Sequence, residues 1–172
     1  MTTDENLDAV ATQLGHLLIE FNALEIDMAR LVARLLGQDD DVIIAIFAAE
    51  LMFFARLKLA RALVEAKLPE LEQAAYLAAL KRAEVCNTQR NQFIHSEYLP
   101  FVDSDDKLIE VLRAQHKKRP LMYAPGTDGR DFDKHLLVTE PVDIHALITE
   151  INSVALEVRV LAERYTDLHP TE

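Results

Sequence analysis

One uninterrupted apolar repeat near the start of the chain constrains the fold more than any other sequence feature. Large apolar residues recur at alternating intervals of three and four: Leu7, Val10, Leu14, Leu17, Phe21, Leu24, Met28, Leu31 and Leu35. This spacing places them along one side of a single long helix that packs lengthwise against other helices. Gly37 then provides a natural helix terminator. We therefore predict a first helix over about 4–36.

Three further apolar segments predict helices over about 41–67, 69–97 and 141–168. The second is apolar on more than one face, which is typical of a central helix or of one shared with a second subunit. The last carries its own apolar seam: Ile144, Leu147, Ile148, Ile151, Val154, Ala155, Val158, Leu161 and Tyr165. At 172 residues the chain fits one domain. The predicted fold class is mostly α, a four-helix-type up-down bundle in a single domain over 1–172.

Residues 100–140 differ in character from the helical segments. They hold three of the six prolines and many aspartates. The segment 108–112 suits a strand or a short helix, 125–129 is a turn signal, and 135–139 suits a partner strand. We expect an irregular or β-hairpin excursion before the last helix, with no role that the sequence reveals.

The cysteine content and the absence of targeting signals indicate a cytoplasmic protein. Cys86 is the single cysteine, so no disulfide can form within the chain, and its apolar surroundings favour a small core residue over a nucleophile. The N-terminal residues lack the basic and apolar regions of a signal peptide. No apolar stretch reaches the roughly 18 residues that span a membrane, so no membrane partner is expected.

The charge of the chain is negative overall but unevenly distributed. The net charge is −11, which argues against a general nucleic-acid coat protein. Residues 81–119, however, carry eight positive and six negative charges, a net of +2. This is the part of the chain that tolerates a polyanion, although its basic run at 116–119 also fits a solvated turn or strand end.

One short motif offers chemistry, at the end of the third predicted helix. An arginine followed five positions later by a histidine occurs at Arg90–His95, Arg130–His135 and Arg164–His169, so the bare spacing is not specific. Context separates the three pairs. Arg90–His95 lies between apolar residues at the end of a strongly apolar helix, whereas Arg130–His135 lies in the Gly- and Asp-rich excursion and Arg164–His169 lies next to Pro170. Phosphate-binding loops, dinucleotide-binding glycine motifs and paired metal-ligand motifs are absent from the sequence.

The helical layout together with Arg90, Asn91, His95 and Ser96 resembles the HEPN superfamily of small helical-bundle proteins. The resemblance covers the helices of most of the chain and is residue-specific only at 90–96. Many members of that family are metal-independent endoribonucleases that work as dimers, often in toxin–antitoxin or defence systems. The resemblance thus implies a homodimer, an RNA substrate, and neither a metal nor another cofactor.

Carried over to this chain, the resemblance assigns two catalytic and three substrate-binding residues. Arg90 would hold the scissile phosphate, and His95 would act as general base or acid. Asn91 and Ser96 would orient the site, and Tyr98 could stack on a base or, alternatively, cap the core. The chemistry suits these residue types, because His titrates near neutral pH and the Arg fork fits a phosphate.

A non-catalytic interpretation of these residues stays open beside the enzymatic one. Arg90 and Asn91 at a helix end can pair with carboxylates and cap backbone groups, and His95 can be a hydrogen-bonded neighbour of the core. Some members of the HEPN superfamily are inactive partner-binding modules. The alternative function is therefore a helical interaction or regulatory module with a cognate protein partner.

Overall fold

The computed structural model describes residues 3–38, 41–102, 108–115, 136–138 and 140–168. Within them the elements follow in the order α1 (Thr3–Leu35), α2 (Asp41–Glu50), α3 (Phe53–Lys67), α4 (Glu70–Ile94), β1 (Ser96–Val102), β2 (Leu108–Gln115), β3 (Leu136–Val138) and α5 (Pro141–Leu168). The fold is mostly α-helical, as predicted. It divides into two compact units: a sheet unit of Met1–Leu17 and Gln89–Leu147, and a helical unit of Leu18–Thr88 and Ile148–Glu172.

The long apolar seam of α1 is buried over most of its length. Leu7, at the start, is exposed and Leu14 is half-buried. The other seam positions are buried: Val10, Leu17, Phe21, Leu24, Met28, Leu31 and Leu35. The helix of 33 residues ends as predicted at Gly37, whose φ of 76° is in the left-handed region that favours glycine.

Residues 41–67 form two helices, α2 and α3, where the sequence predicts one, so the bundle has five helices rather than four among the described residues. The break between them contains neither Gly nor Pro. It is held by Arg56, which is buried. Its Nε donates to the carbonyl of Leu51 at 2.8 Å, and its Nη1 donates to the carbonyl of Glu25 at 2.5 Å. The first bond satisfies a carbonyl that the break leaves without a helical partner, and the second ties the break to α1.

The core of the helical unit is lined by α1, α3, α4 and α5. The rings of Phe21 and Phe53 lie 5.0 Å apart between centroids. The hydroxyl of Tyr76 on α4 donates to the carbonyl of Leu161 on α5 at 3.0 Å. All nine predicted seam positions of α5 are buried, because their period of three and four residues keeps them on one face of the helix.

The sheet unit contains a three-stranded antiparallel sheet in the order β1-β2-β3. β2 is the central strand, and the segment 108–112, predicted as strand or short helix, lies within it. In the register Tyr98 is opposite Arg113. Val111 and Arg113 of β2 are both buried. Residues two apart lie on the same face of a strand, so this face of β2 points into the unit.

α4 is shorter at its end than the predicted helix over 69–97. It ends at Ile94, and β1 begins at Ser96, leaving His95 as the one residue between them. The pairing of β1 with β2 involves residues beyond α4, so it could not be read from the helical pattern of α4. The predicted turn at 125–129 and the basic run at 116–119 lie outside the described residues. Among the helices described, none is long and apolar enough to cross a membrane.

Candidate functional site

The last turn of α4 carries Arg90 and Asn91, both half-buried. The Nη1 of Arg90 donates a hydrogen bond to the Oδ1 of Asn91 at 3.0 Å. An amide that accepts from a guanidinium leaves the charge intact and fixes the direction of the fork. The two residues that the sequence assigns to phosphate binding and orientation are therefore in contact.

His95 follows directly after α4, and its side chain is exposed. Its backbone N–H donates to the carbonyl of Asn91 at 3.1 Å, so helical hydrogen bonding extends to this residue. On an ideal helix, positions five apart point roughly 140° from each other. Arg90 and His95 of one chain consequently project in different directions from α4, and the imidazole is accessible to a ligand.

Ser96 and Tyr98 begin β1 and bind back to the end of α4. The Oγ of Ser96 donates to the carbonyl of Gln92, and the hydroxyl of Tyr98 donates to the carbonyl of Phe93 at 2.9 Å. Both side chains therefore satisfy carbonyls that a helix end leaves without partners. Burial raises the pKa of Tyr98 to about 12, an effect that the nearby charge of Arg113 partly opposes. The Tyr98 hydroxyl is thus a neutral group engaged with the backbone.

Arg113 on β2 is a member of this region that the sequence did not assign to the site. It is 9% exposed, and its guanidinium carbon lies 4.2 Å from the centroid of the Phe93 ring, a cation–π contact. Its Nε and Nη1 atoms are buried, and no hydrogen-bond acceptor reaches them among the described residues. The signal that could have found it is the alternation of β2, where Arg113 shares a face with the apolar Val111.

The structure thus brings the predicted site residues to one junction between α4 and β1 and adds a second arginine beside them. Cys86, in contrast, is buried, and burial raises the pKa of its thiol to about 11. A thiol with such a pKa is a poor nucleophile near neutral pH, in line with the core role predicted for it.

In the ranges that the structure describes, no group of three or more His, Cys, Asp or Glu side chains is placed to hold a metal ion. No family model, no curated protein and no solved structure matches the chain. The likeness of residues 90–96 to the HEPN segment therefore stays a prediction from the sequence.

Proposed function

We propose that this protein is a HEPN-like, metal-independent endoribonuclease that acts as a homodimer. Arg90 and His95 from both subunits form a shared cleft. The observation that carries the proposal is the exposed imidazole of His95 at the end of α4, one turn after the hydrogen-bonded Arg90–Asn91 pair. This arrangement presents an accessible imidazole and a phosphate-binding fork at the same end of α4.

The chemistry is an internal attack of the ribose 2′-hydroxyl on the adjacent phosphorus. His95 of one subunit removes the proton from the 2′-hydroxyl, and the bond from phosphorus to the 5′-oxygen breaks. The leaving oxygen takes a proton from an imidazolium, which the second copy of His95 supplies. Arg90 stabilises the charge that builds on the phosphate oxygens during this step. Asn91 holds the guanidinium of Arg90 in place through its Oδ1.

Two observations favour the homodimer in this proposal. The first is the divergence of Arg90 and His95 along one helix, which a second chain compensates by supplying the missing group. The second is the apolar surface of α2, in which Ile44 is the single buried residue. Val42 and Ile46 are 60% and 48% exposed. Exposed apolar surface of this kind marks protein–protein contacts.

The test of activity is cleavage of a mixed-sequence RNA in EDTA by wild type, His95→Ala and Arg90→Ala. Matched controls are His16→Ala and Arg164→Ala, which remove an exposed histidine and an exposed arginine elsewhere. We expect wild type and both controls to cleave and both site variants to lose at least about a hundredfold in rate. Equal cleavage by all five proteins would show that a contaminant or another site is responsible.

The test of assembly is sedimentation of wild type and Ile46→Glu across a range of concentrations. A charge in the apolar surface of α2 is expected to convert the dimer to monomer and to abolish cleavage. A monomeric wild type with full activity would contradict the shared cleft.

The second candidate function is a non-catalytic interaction or regulatory module. The net charge of −11 favours it, because an acidic protein binds basic partners more readily than RNA. Absence of cleavage by wild type, together with a stable complex formed through α2, would favour this module over the nuclease.

A further inference from the structure

Arg113 is a buried cation whose hydrogen-bonding capacity is unused. The residue is nine-tenths buried, and its Nε and Nη1 have no acceptor among the residues that the structure describes. Arginine does not lose its proton in proteins, so the charge persists in this environment. The ring of Phe93 offsets part of it. A guanidinium left in this state is ready to accept an anion.

The surroundings of Arg113 favour a phosphate as that anion. Arg90 lies three residues before Phe93, and residues three apart are neighbours on a helix surface. The Phe93 ring contacts the guanidinium of Arg113, so two arginines belong to the same end of α4. Two like charges in one neighbourhood are stabilised by a bound anion, and the forks of both match phosphate oxygens.

The charge along the chain selects RNA as the source of the phosphate. Residues 81–119, which include both arginines, are net positive, whereas the rest of the chain is strongly negative. A polynucleotide is therefore repelled elsewhere and tolerated here. About a tenth of the surface of Arg113 stays open to solvent, so a phosphate has to approach the residue over this fraction.

We infer that Arg113 binds a backbone phosphodiester of single-stranded RNA, as a contact separate from the scissile phosphate held by Arg90. The inference rests on the proposed function for the identity of the ligand. Arg113 thereby adds affinity and fixes the position of the strand, without taking part in proton transfer. The burial of Arg113 on Phe93 prepares the guanidinium for one direction of approach.

The experiment measures RNA binding separately from cleavage. The probe is a short mixed-sequence RNA oligonucleotide with a 2′-O-methyl group on every ribose, which binds but cannot be cleaved. Fluorescence anisotropy gives its affinity at several salt concentrations for wild type, Arg113→Met, Arg113→Lys and the control Arg82→Met. The control removes one arginine that is already paired with Glu150 and Glu157.

We expect Arg113→Met to bind the probe about tenfold more weakly and to lose about one unit of slope against the logarithm of salt concentration. Arg113→Lys keeps the charge but not the fork, so its affinity falls while its salt slope is kept. Arg82→Met binds like wild type. The melting temperature of Arg113→Met is unchanged or higher, because an unpaired buried charge is removed.

Two results would overturn the inference. In the first, folded Arg113→Met and Arg113→Lys bind the probe like wild type. In the second, wild type does not bind the probe, even if inorganic phosphate raises its melting temperature in an Arg113-dependent way. If Arg113→Met fails to fold, Arg113→Lys alone decides. Cleavage of unmodified RNA by wild type tests the proposed function independently. A failure of the Arg113 inference can therefore be distinguished from a failure of the endoribonuclease proposal.

Discussion

Each unit contains a buried arginine, and the two differ in whether their guanidinium groups have hydrogen-bond partners among the described residues. Arg56 of the helical unit is 2% exposed and Arg113 of the sheet unit is 9% exposed. Arg56 donates to two backbone carbonyls and lies 3.6 Å from the carboxylate of Glu25. The guanidinium of Arg113 instead lies over the face of the Phe93 ring. Burial lowers the pKa of Arg56, whereas the charge of Glu25 raises it.

The difference in hydrogen-bond partners indicates a structural role for Arg56 and a ligand-binding role for Arg113. A buried charge that donates to the backbone stabilises the fold around it, because removing it leaves the carbonyl of Leu51 without a partner. A buried charge with idle donors does not stabilise the fold, so its presence needs a ligand to explain it. Three further arginines of the helical unit extend the contrast, since Arg61, Arg82 and Arg159 pair with carboxylates.

The sharpest way to break this comparison is to replace Arg56 and Arg113 with methionine in turn. We expect Arg56→Met to lose about 3 kcal/mol of unfolding free energy, because the carbonyl of Leu51 loses its donor and α3 loses its polar contacts with Glu25. Arg113→Met should lose none. Urea denaturation of both variants provides the measurement. Equal losses would mean that Arg113 is as structural as Arg56.

A smaller effect is expected at Asp27, the buried carboxylate that organises the cations of the helical unit. It is 1% exposed and accepts hydrogen bonds from Arg30 and Arg159. Both arginines are partly exposed and can turn to water, so Asp27→Asn should cost about 2 kcal/mol rather than more. Thermal unfolding at low and high salt measures it. A loss of less than about 0.3 kcal/mol would show that the Asp27 carboxylate does not stabilise the fold.

Tyr98 provides a test in the sheet unit. Tyr98→Phe removes one hydrogen bond to the carbonyl of Phe93 and should cost about 1 kcal/mol. The pKa of Tyr98 is raised from its ordinary value of 10.0 to about 12. Its contribution is therefore complete below pH 10 and declines as the pH rises toward 12. Denaturation of both proteins across that window should show the advantage of wild type shrinking, and a constant difference would contradict the raised pKa.

The smallest effect is expected at Arg82, where the charges are paired but exposed. Its Nε lies 2.9 Å from Glu150, and its side chain is 39% exposed. Solvent screens such pairs, so Arg82→Gln should cost no more than about 0.5 kcal/mol. Urea denaturation at low salt is the most sensitive measurement. A loss comparable to that of Arg56→Met would show that pairing, rather than burial, sets the energy.

The periodic parts of the fold were predictable from the sequence, and the tertiary contacts were not. The seams of α1 and α5 depend only on residue spacing, so their burial follows from the pattern. The break between α2 and α3 depends on Arg56 reaching the carbonyl of Glu25, which lies 31 residues earlier in the chain. No local signal marks such a contact. The early end of α4 likewise depends on the pairing of β1 with β2.

The candidate site shows the same limit. Residues 90–98 were singled out by the Arg90–His95 motif and its resemblance to a known family, and because they are contiguous at a helix end they stay together in the fold. Arg113 was not assigned to the site, because its position beside the site depends on the cross-strand register. This register places Arg113 opposite Tyr98, and its guanidinium contacts the Phe93 ring. A register cannot be counted from one strand alone.

His95 is the single residue between α4 and β1, so the length of this connection fixes the direction of its side chain. Since a strand alternates its faces with every residue, one residue inserted after His95 would either turn Tyr98 and its neighbours to the opposite face or force the sheet to re-register. One residue inserted before His95 would swing the imidazole by about 100° around the helix axis. Natural variants of this protein should therefore accept changes of residue at this junction far more readily than changes of length.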